Sequence, residues 1–105
     1  MAGNRIELWG RILGEPELRT TPAGTAVLRL TVAADSEGEL ALAVVTVGES
    51  AQEIGPRLKA GSEVRVAGSL KAVRRRLKSG MVEVVHEVMA DSIAIGGVTG
   101  NKSQT

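Results

Sequence analysis

The sequence predicts an all-β fold: five strands closing into a small Greek-key barrel, with one short helix between strands 3 and 4. Three observations carry this prediction. Five runs alternate apolar and polar residues with period two, as strands with one buried face do. Helix signals are confined to one short stretch between the third and fourth runs. Gly10 and Gly68 stand among the inward-facing residues of the first and fourth runs. There they let a strongly coiled strand bend, as a narrow barrel requires.

Residues 4–13 read as the first strand, with Ile6, Leu8, Gly10 and Ile12 on one face and Arg5, Glu7, Trp9, Arg11 and Leu13 on the other. Glu15-Pro16 is expected to break it, and Thr21-Pro22-Ala23-Gly24 reads as a turn with Pro placed for a type I or II bend. The second strand, residues 25–34, turns Ala26, Leu28, Leu30 and Val32 inward and Arg29 outward. An acidic turn, residues 35–39, leads into residues 40–47, an almost continuous apolar strand. Ser50 and Glu53 have capping-box spacing, and Gly55-Pro56 limits the helix there to about two turns. The fourth strand turns Val64, Val66, Gly68 and Leu70 inward, and Glu63, Arg65, Ala67 and Ser69 outward. The fifth, residues 81–95, slips its alternation near Val84-Val85, where a bulge is expected. Three strands, a helix and two strands is the order of the five-stranded Greek-key barrel called the OB-fold, whose open face and loops bind oligonucleotides or oligosaccharides. The domain is expected over residues 1–95, with residues 96–105 a flexible tail.

A length of 105 residues suits one domain with a modest core. That core is aliphatic, since Trp9 is the only aromatic and Phe and Tyr are absent. With no Cys there is neither a disulfide framework nor a thiolate metal site, which fits a reducing, cytoplasmic setting. No apolar run approaches the ~20 residues of a membrane span, and no signal-peptide pattern opens the chain. The net charge of +1 conceals an asymmetry. Residues 57–78 hold eight Lys/Arg against Glu63 alone, a net of +7; residues 1–56 carry −4 and residues 79–105 carry −2. One concentrated basic segment points to a local anionic partner.

The centre of that segment is Lys71 to Gly80, KAVRRRLKSG, with Lys71, Arg74, Arg75, Arg76 and Lys78 between two valine-rich strands. A basic loop so placed suits a phosphate backbone, each contact releasing a condensed counterion; a solvated hairpin tip is the alternative. Trp9, flanked by arginines on a polar face, suits either base stacking or a subunit contact.

The opening NRIELWGRILGEPELRTTPAGTAVLRLTVA closely resembles the amino-terminal signature of bacterial single-stranded DNA-binding proteins. Its parts stand here as Asn4, Gly10-Arg11, Pro16-Glu17-Leu18-Arg19 and Thr21-Pro22-Ala23-Gly24. LKAGSEVRVAGSL and EVMADSIAI resemble the family's later strands, so the similarity covers about residues 4–95. The resemblance implies an OB-fold that binds single-stranded DNA in replication, replication restart or repair. Its cations here would be Arg5, Arg11, Arg19, Arg29 and Arg65 beside the basic loop. Two branches fit: the housekeeping protein, usually a homotetramer with an acidic carboxy-terminal tip, and primosomal replication protein N, a tail-less dimer. The ending NKSQT lacks an acidic tip and, with the fourth-to-fifth strand connection, leans towards the primosomal branch. Both branches usually offer stacking aromatics on the third strand, and residues 40–47 contain none. Affinity is therefore expected to rest on phosphates and to be steeply salt-dependent.

An enzyme is not expected. There is no cysteine nucleophile, and the single His86 has no second imidazole for a metal site. Glu83, Glu87 and Asp91 read as solvated strand positions, and Gly96-Gly97 as a hinge rather than a phosphate loop. No cofactor or metal is expected. Self-association is, as homodimer or homotetramer, because an aromatic-poor core this small is marginal and an apolar third strand is a liability at an open edge. The competing functional class is a dimerising adaptor that recruits a replication-restart helicase or another replisome protein, with weak DNA affinity.

Overall fold

Period-two alternation becomes burial in the barrel. The computed structural model describes residues 2–96. Its elements are β1 (Ile6–Thr20), β2 (Ala26–Ala33), β3 (Ala41–Val47), α1 (Glu49–Ile54), a 3-10 turn (Gly55–Arg57), β4 (Glu63–Arg76) and β5 (Val82–Ile95). The strands close in the order β1-β2-β3-β5-β4. All neighbours are antiparallel except β3 and β5, which run parallel from Ala43↔Glu87 to Val45↔Met89. This is the OB-fold, all-β with one short helix between β3 and β4.

The inward residues named above form the core: Leu8, Ile12, Leu28, Leu30, Val32, Val64 and Val66 are buried together with Val44 and Val88, whereas Leu70, past the end of the β1–β4 pairing, is exposed. The small residues among them allow close backbone approach. A Cβ on Gly10 would sit 1.8 Å from the Ala33 carbonyl oxygen, and one on Gly68 would sit 2.0 Å from that of Met89. β1 can therefore bend from β4 onto β2 at Gly10–Arg11, where Arg11 is registered with both Glu63 and Ala33. The helix packs on β2 and β3, with Ala51 and then Leu58 buried at that end.

Four other expectations are corrected. Glu15-Pro16 does not end the first strand: Leu13↔Thr31 is followed by Glu17↔Arg29, so Gly14, Glu15 and Pro16 stand opposite Leu30 alone. A bulge absorbs the proline without requiring its missing N–H. The capping box does not form, because the helix starts at Glu49 after Gly48 and Ser50 already lies inside it, with no side-chain cap. The irregularity of β5 is not at Val84-Val85, which continue in register with Arg74 and Val73; Asp91 is the unpaired residue, between Ala67↔Ser92 and Gly68↔Ala90. The alternation falters at 84–85 because that part of β5 has left the barrel and buries neither face. Fourth, Lys71–Arg76 is not a loop but the outer half of β4. The expected tail, apart from Gly96, lies outside the described residues.

Candidate nucleic-acid interface

Beyond the barrel, β4 and β5 continue as a two-stranded arm. Pairing of β4 with β1 ends at Gly68, and pairing of β5 with β3 ends at Glu87. Residues 72–76 and 82–86 pair only with each other. The tip is a tight turn in which Gly80 N–H donates to the Leu77 carbonyl (2.9 Å) and Leu77 N–H to the Met81 carbonyl (2.8 Å). Gly80 takes φ +91°, a conformation that favours glycine.

The amino-terminal residues tie down the root of this arm. The Asn4 carboxamide accepts from Leu70 N–H (2.6 Å) and donates to the Leu70 carbonyl (3.1 Å), adding one side-chain bridge to the ladder just past its end. Next to it, Arg5 Nη1 meets Asp91 Oδ2 at 2.6 Å and so pins the bulged residue of β5.

The eleven expected nucleic-acid residues fall in three places. Arg5, Trp9, Arg11 and Arg65 lie on the outer face of β1 and β4. Arg19 and Arg29 share a shallow groove of about 260 Å³ on β1 and β2, lined also by Glu17, Thr20, Thr21 and Val27. Lys71, Arg74, Arg75, Arg76 and Lys78 are on the arm. Internal ion pairing divides them again. Arg5 pairs with Asp91, Arg19 with Glu17 at 3.2 Å, Arg29 with Glu87, Arg65 with Glu7 at 3.4 Å and Arg75 with Glu83 at 3.9 Å. Among the described residues, Arg11, Lys71, Arg74, Arg76 and Lys78 make no such pair. Four of these five are on the arm.

Two pairs change the reading of their residues. Glu87 is no solvated strand position: it is only 6% exposed, and Arg29 reaches across β3 to bond it. The β3 residue registered with Glu87 is Ala43, and the one registered with Arg29 is Val45. Arg29 thus serves first as counter-ion to a buried carboxylate. Trp9 is 53% exposed, and the Arg65 guanidinium lies 5.6 Å from its ring centroid on its cross-strand neighbour. Cation–π contact and the Glu7 bridge orient Arg65 over the ring. Trp9 also borders a groove of about 330 Å³ with Ile6, Glu7, Leu8, Ala34, Leu40 and Leu42, of which Glu7 alone is charged. It is an apolar surface more than a phosphate track.

Asn4, Glu87 and Asp91 act here without having been singled out for these roles. Asn4 was visible only as the leading residue of a signature. The two acids gave no signal, because their arginine partners are 58 and 86 residues away in sequence. No group of three or more His, Cys, Asp or Glu among the described residues is placed to hold a metal ion. No helix among them is long and apolar enough to cross a membrane.

Comparison with known proteins agrees with this architecture. The family model described as "Single-strand binding protein family" matches residues 3–95. Single-stranded DNA-binding protein 3 of Listeria innocua is 31% identical over 97% of this chain and 74% of its own length. The single-stranded DNA-binding protein of Halalkalibacterium halodurans is 33% identical over 96% and 65%, and single-stranded DNA-binding protein 1 of Staphylococcus aureus is 34% identical over 86% and 63%. The chain thus spans about two thirds to three quarters of the length of these relatives. All three carry the name of the single-stranded DNA-binding branch, not the primosomal one.

Proposed function

The chain belongs to the single-strand binding protein family, and from that premise we propose that it binds single-stranded DNA with little regard to sequence, in replication, replication restart or repair. The observation that carries this reading is the arm, where Arg74, Arg76 and Lys78 stand outside the barrel with no carboxylate paired to them among the described residues. Phosphates supply the missing charge. The sheet face supplies little stacking, since the outward side chains of β2 and β3 are Val27, Arg29, Thr31, Ala41, Ala43 and Val47, with Val45 on the same side but buried. Binding is therefore a non-enzymatic, largely electrostatic act with no cofactor. Oligo-dT titration at two salt concentrations tests it. Affinity should be measurable in dilute buffer and fall by orders of magnitude as salt rises; no binding in dilute buffer would overturn the reading.

Self-association belongs to the same proposal. The groove bordered by Trp9, Leu40 and Leu42 offers apolar surface that suits a second copy of the chain. Trp9 emission should then respond to protein dilution and not to added oligonucleotide. Residues 1–95 form the binding domain in this reading. Replisome proteins are its expected partners, with cytoplasmic action.

A further inference from the structure

The arm has two faces, and strand register assigns every side chain to one of them. Val88 is fully buried, so its partner Leu70 marks the face that continues the barrel interior. Stepping outward by twos, that face carries Ala72 with His86, Arg74 with Val84 and Arg76 with Val82. The opposite face carries Lys71 with Glu87, Arg75 with Glu83 and Val73 with Val85. The second face carries no net charge, since Lys71 and Arg75 stand against Glu87 and Glu83. Both of its acids are in ion pairs, Glu83 with Arg75 and Glu87 with Arg29, and Val73 and Val85 are half-covered. On the first face all six side chains are exposed and there is no carboxylate. Arg76 hydrogen-bonds only the Gly80 carbonyl, which leaves its charge uncompensated.

We propose that the arm grips the sugar-phosphate backbone of an unpaired strand with one face only, through Arg74 and Arg76, while the face bearing Lys71 and Arg75 stays out of the contact. This rests on the proposed single-stranded DNA binding and specifies where it happens. Alternate residues of a strand stand about 7 Å apart, a spacing that lets two guanidiniums take neighbouring phosphates of an extended chain. The exposed valines opposite them, Val82 and Val84, give the sugars an apolar bed. Counting arginines in the sequence would place Arg75 at the centre of the cluster; the pleat turns it away.

Two double variants separate the faces: Arg74→Ala with Arg76→Ala, and Lys71→Ala with Arg75→Ala. Each is titrated with oligo-dT over a salt series after circular dichroism and thermal melting have verified the fold. For single strands each phosphate contact contributes about 0.7 to the slope of log affinity against log salt, so losing two lowers it by about 1.4. The ratio of affinities between about 50 and about 200 mM salt should shrink by about sevenfold for the first variant. The second variant should keep the wild-type slope. Equal slope losses in the two, or a loss confined to the second, would overturn the one-face assignment while leaving DNA binding intact. An unchanged slope in the first variant would also overturn it and would point to an acidic protein surface as the occupant. Failure of the wild-type protein to bind would instead sink the proposed function.

Discussion

Replacing Arg29 by Met should destabilise the barrel severely, and removing the charge of Glu87 in the same molecule should restore much of the loss. The Glu87 side chain is 7% exposed and that of Arg29 is 47% exposed. Deleting one member of a buried ion pair costs about 3–5 kcal/mol, because the surviving charge is stranded away from water. The half-open guanidinium end admits solvent, which places Arg29→Met at the lower limit, about 3 kcal/mol. For a domain of this size that lowers the melting temperature by about 12–24 °C. Glu87→Gln keeps the shape and loses only a charge-assisted hydrogen bond, about 1–2 kcal/mol. The double variant strands no charge and should lie near 2 kcal/mol rather than at the sum of about 4–5. Urea denaturation of all four proteins, followed by circular dichroism, measures the coupling. If the double variant equals the sum of the singles within about 0.5 kcal/mol, Arg29 is not the counter-ion that holds Glu87 in the wall.

Two further predictions concern the frame that carries the arm. Gly10→Ala forces a methyl to within 1.8 Å of the Ala33 carbonyl oxygen, and should cost about 3 kcal/mol or more in thermal melts, whereas Gly3→Ala, with nothing within 4 Å, should be neutral. Asn4→Ala removes both hydrogen bonds to Leu70. It should cost about 1 kcal/mol overall while accelerating amide exchange at Leu70 well before the barrel amides; unaltered exchange there would show that the arm needs no tether.

The barrel was legible because burial repeats every two residues. The inward sets of β1, β2 and β4 are those the sequence showed except at Leu70, which is exposed past the end of the β1–β4 pairing, and the glycines read as bending points sit where two backbones nearly touch. Less legible were places where one strand serves two neighbours. Pro16 reads as a stop by local rules, yet a bulge carries β1 past it to pair with β2. Lys71–Arg76 reads as a loop because its residues are charged, but a hairpin that leaves the core needs no buried face. Local pattern loses its meaning at the point where burial ends.

That misreading bears on function. A charged loop has no faces, so five cations in eight residues appear equivalent. A strand sorts its side chains alternately, and the sorting decides which cations have already been neutralised. The same sorting operates on the sheet: Ala43 is the β3 residue registered with Glu87, and Arg29 crosses to that carboxylate and closes a structural ion pair. With no aromatic in β3 and Arg29 neutralised, this face offers neither a stacking ring nor a free guanidinium there. In the proposed reading, both leave the work of holding a strand to the arm. Affinity in this chain should accordingly track the unpaired charge of the arm rather than the total basic charge of the sequence, and a variant that adds a carboxylate to the open face, such as Val84→Glu opposite Arg74, should weaken binding more than the removal of Arg19 or Arg29 in any variant that still folds.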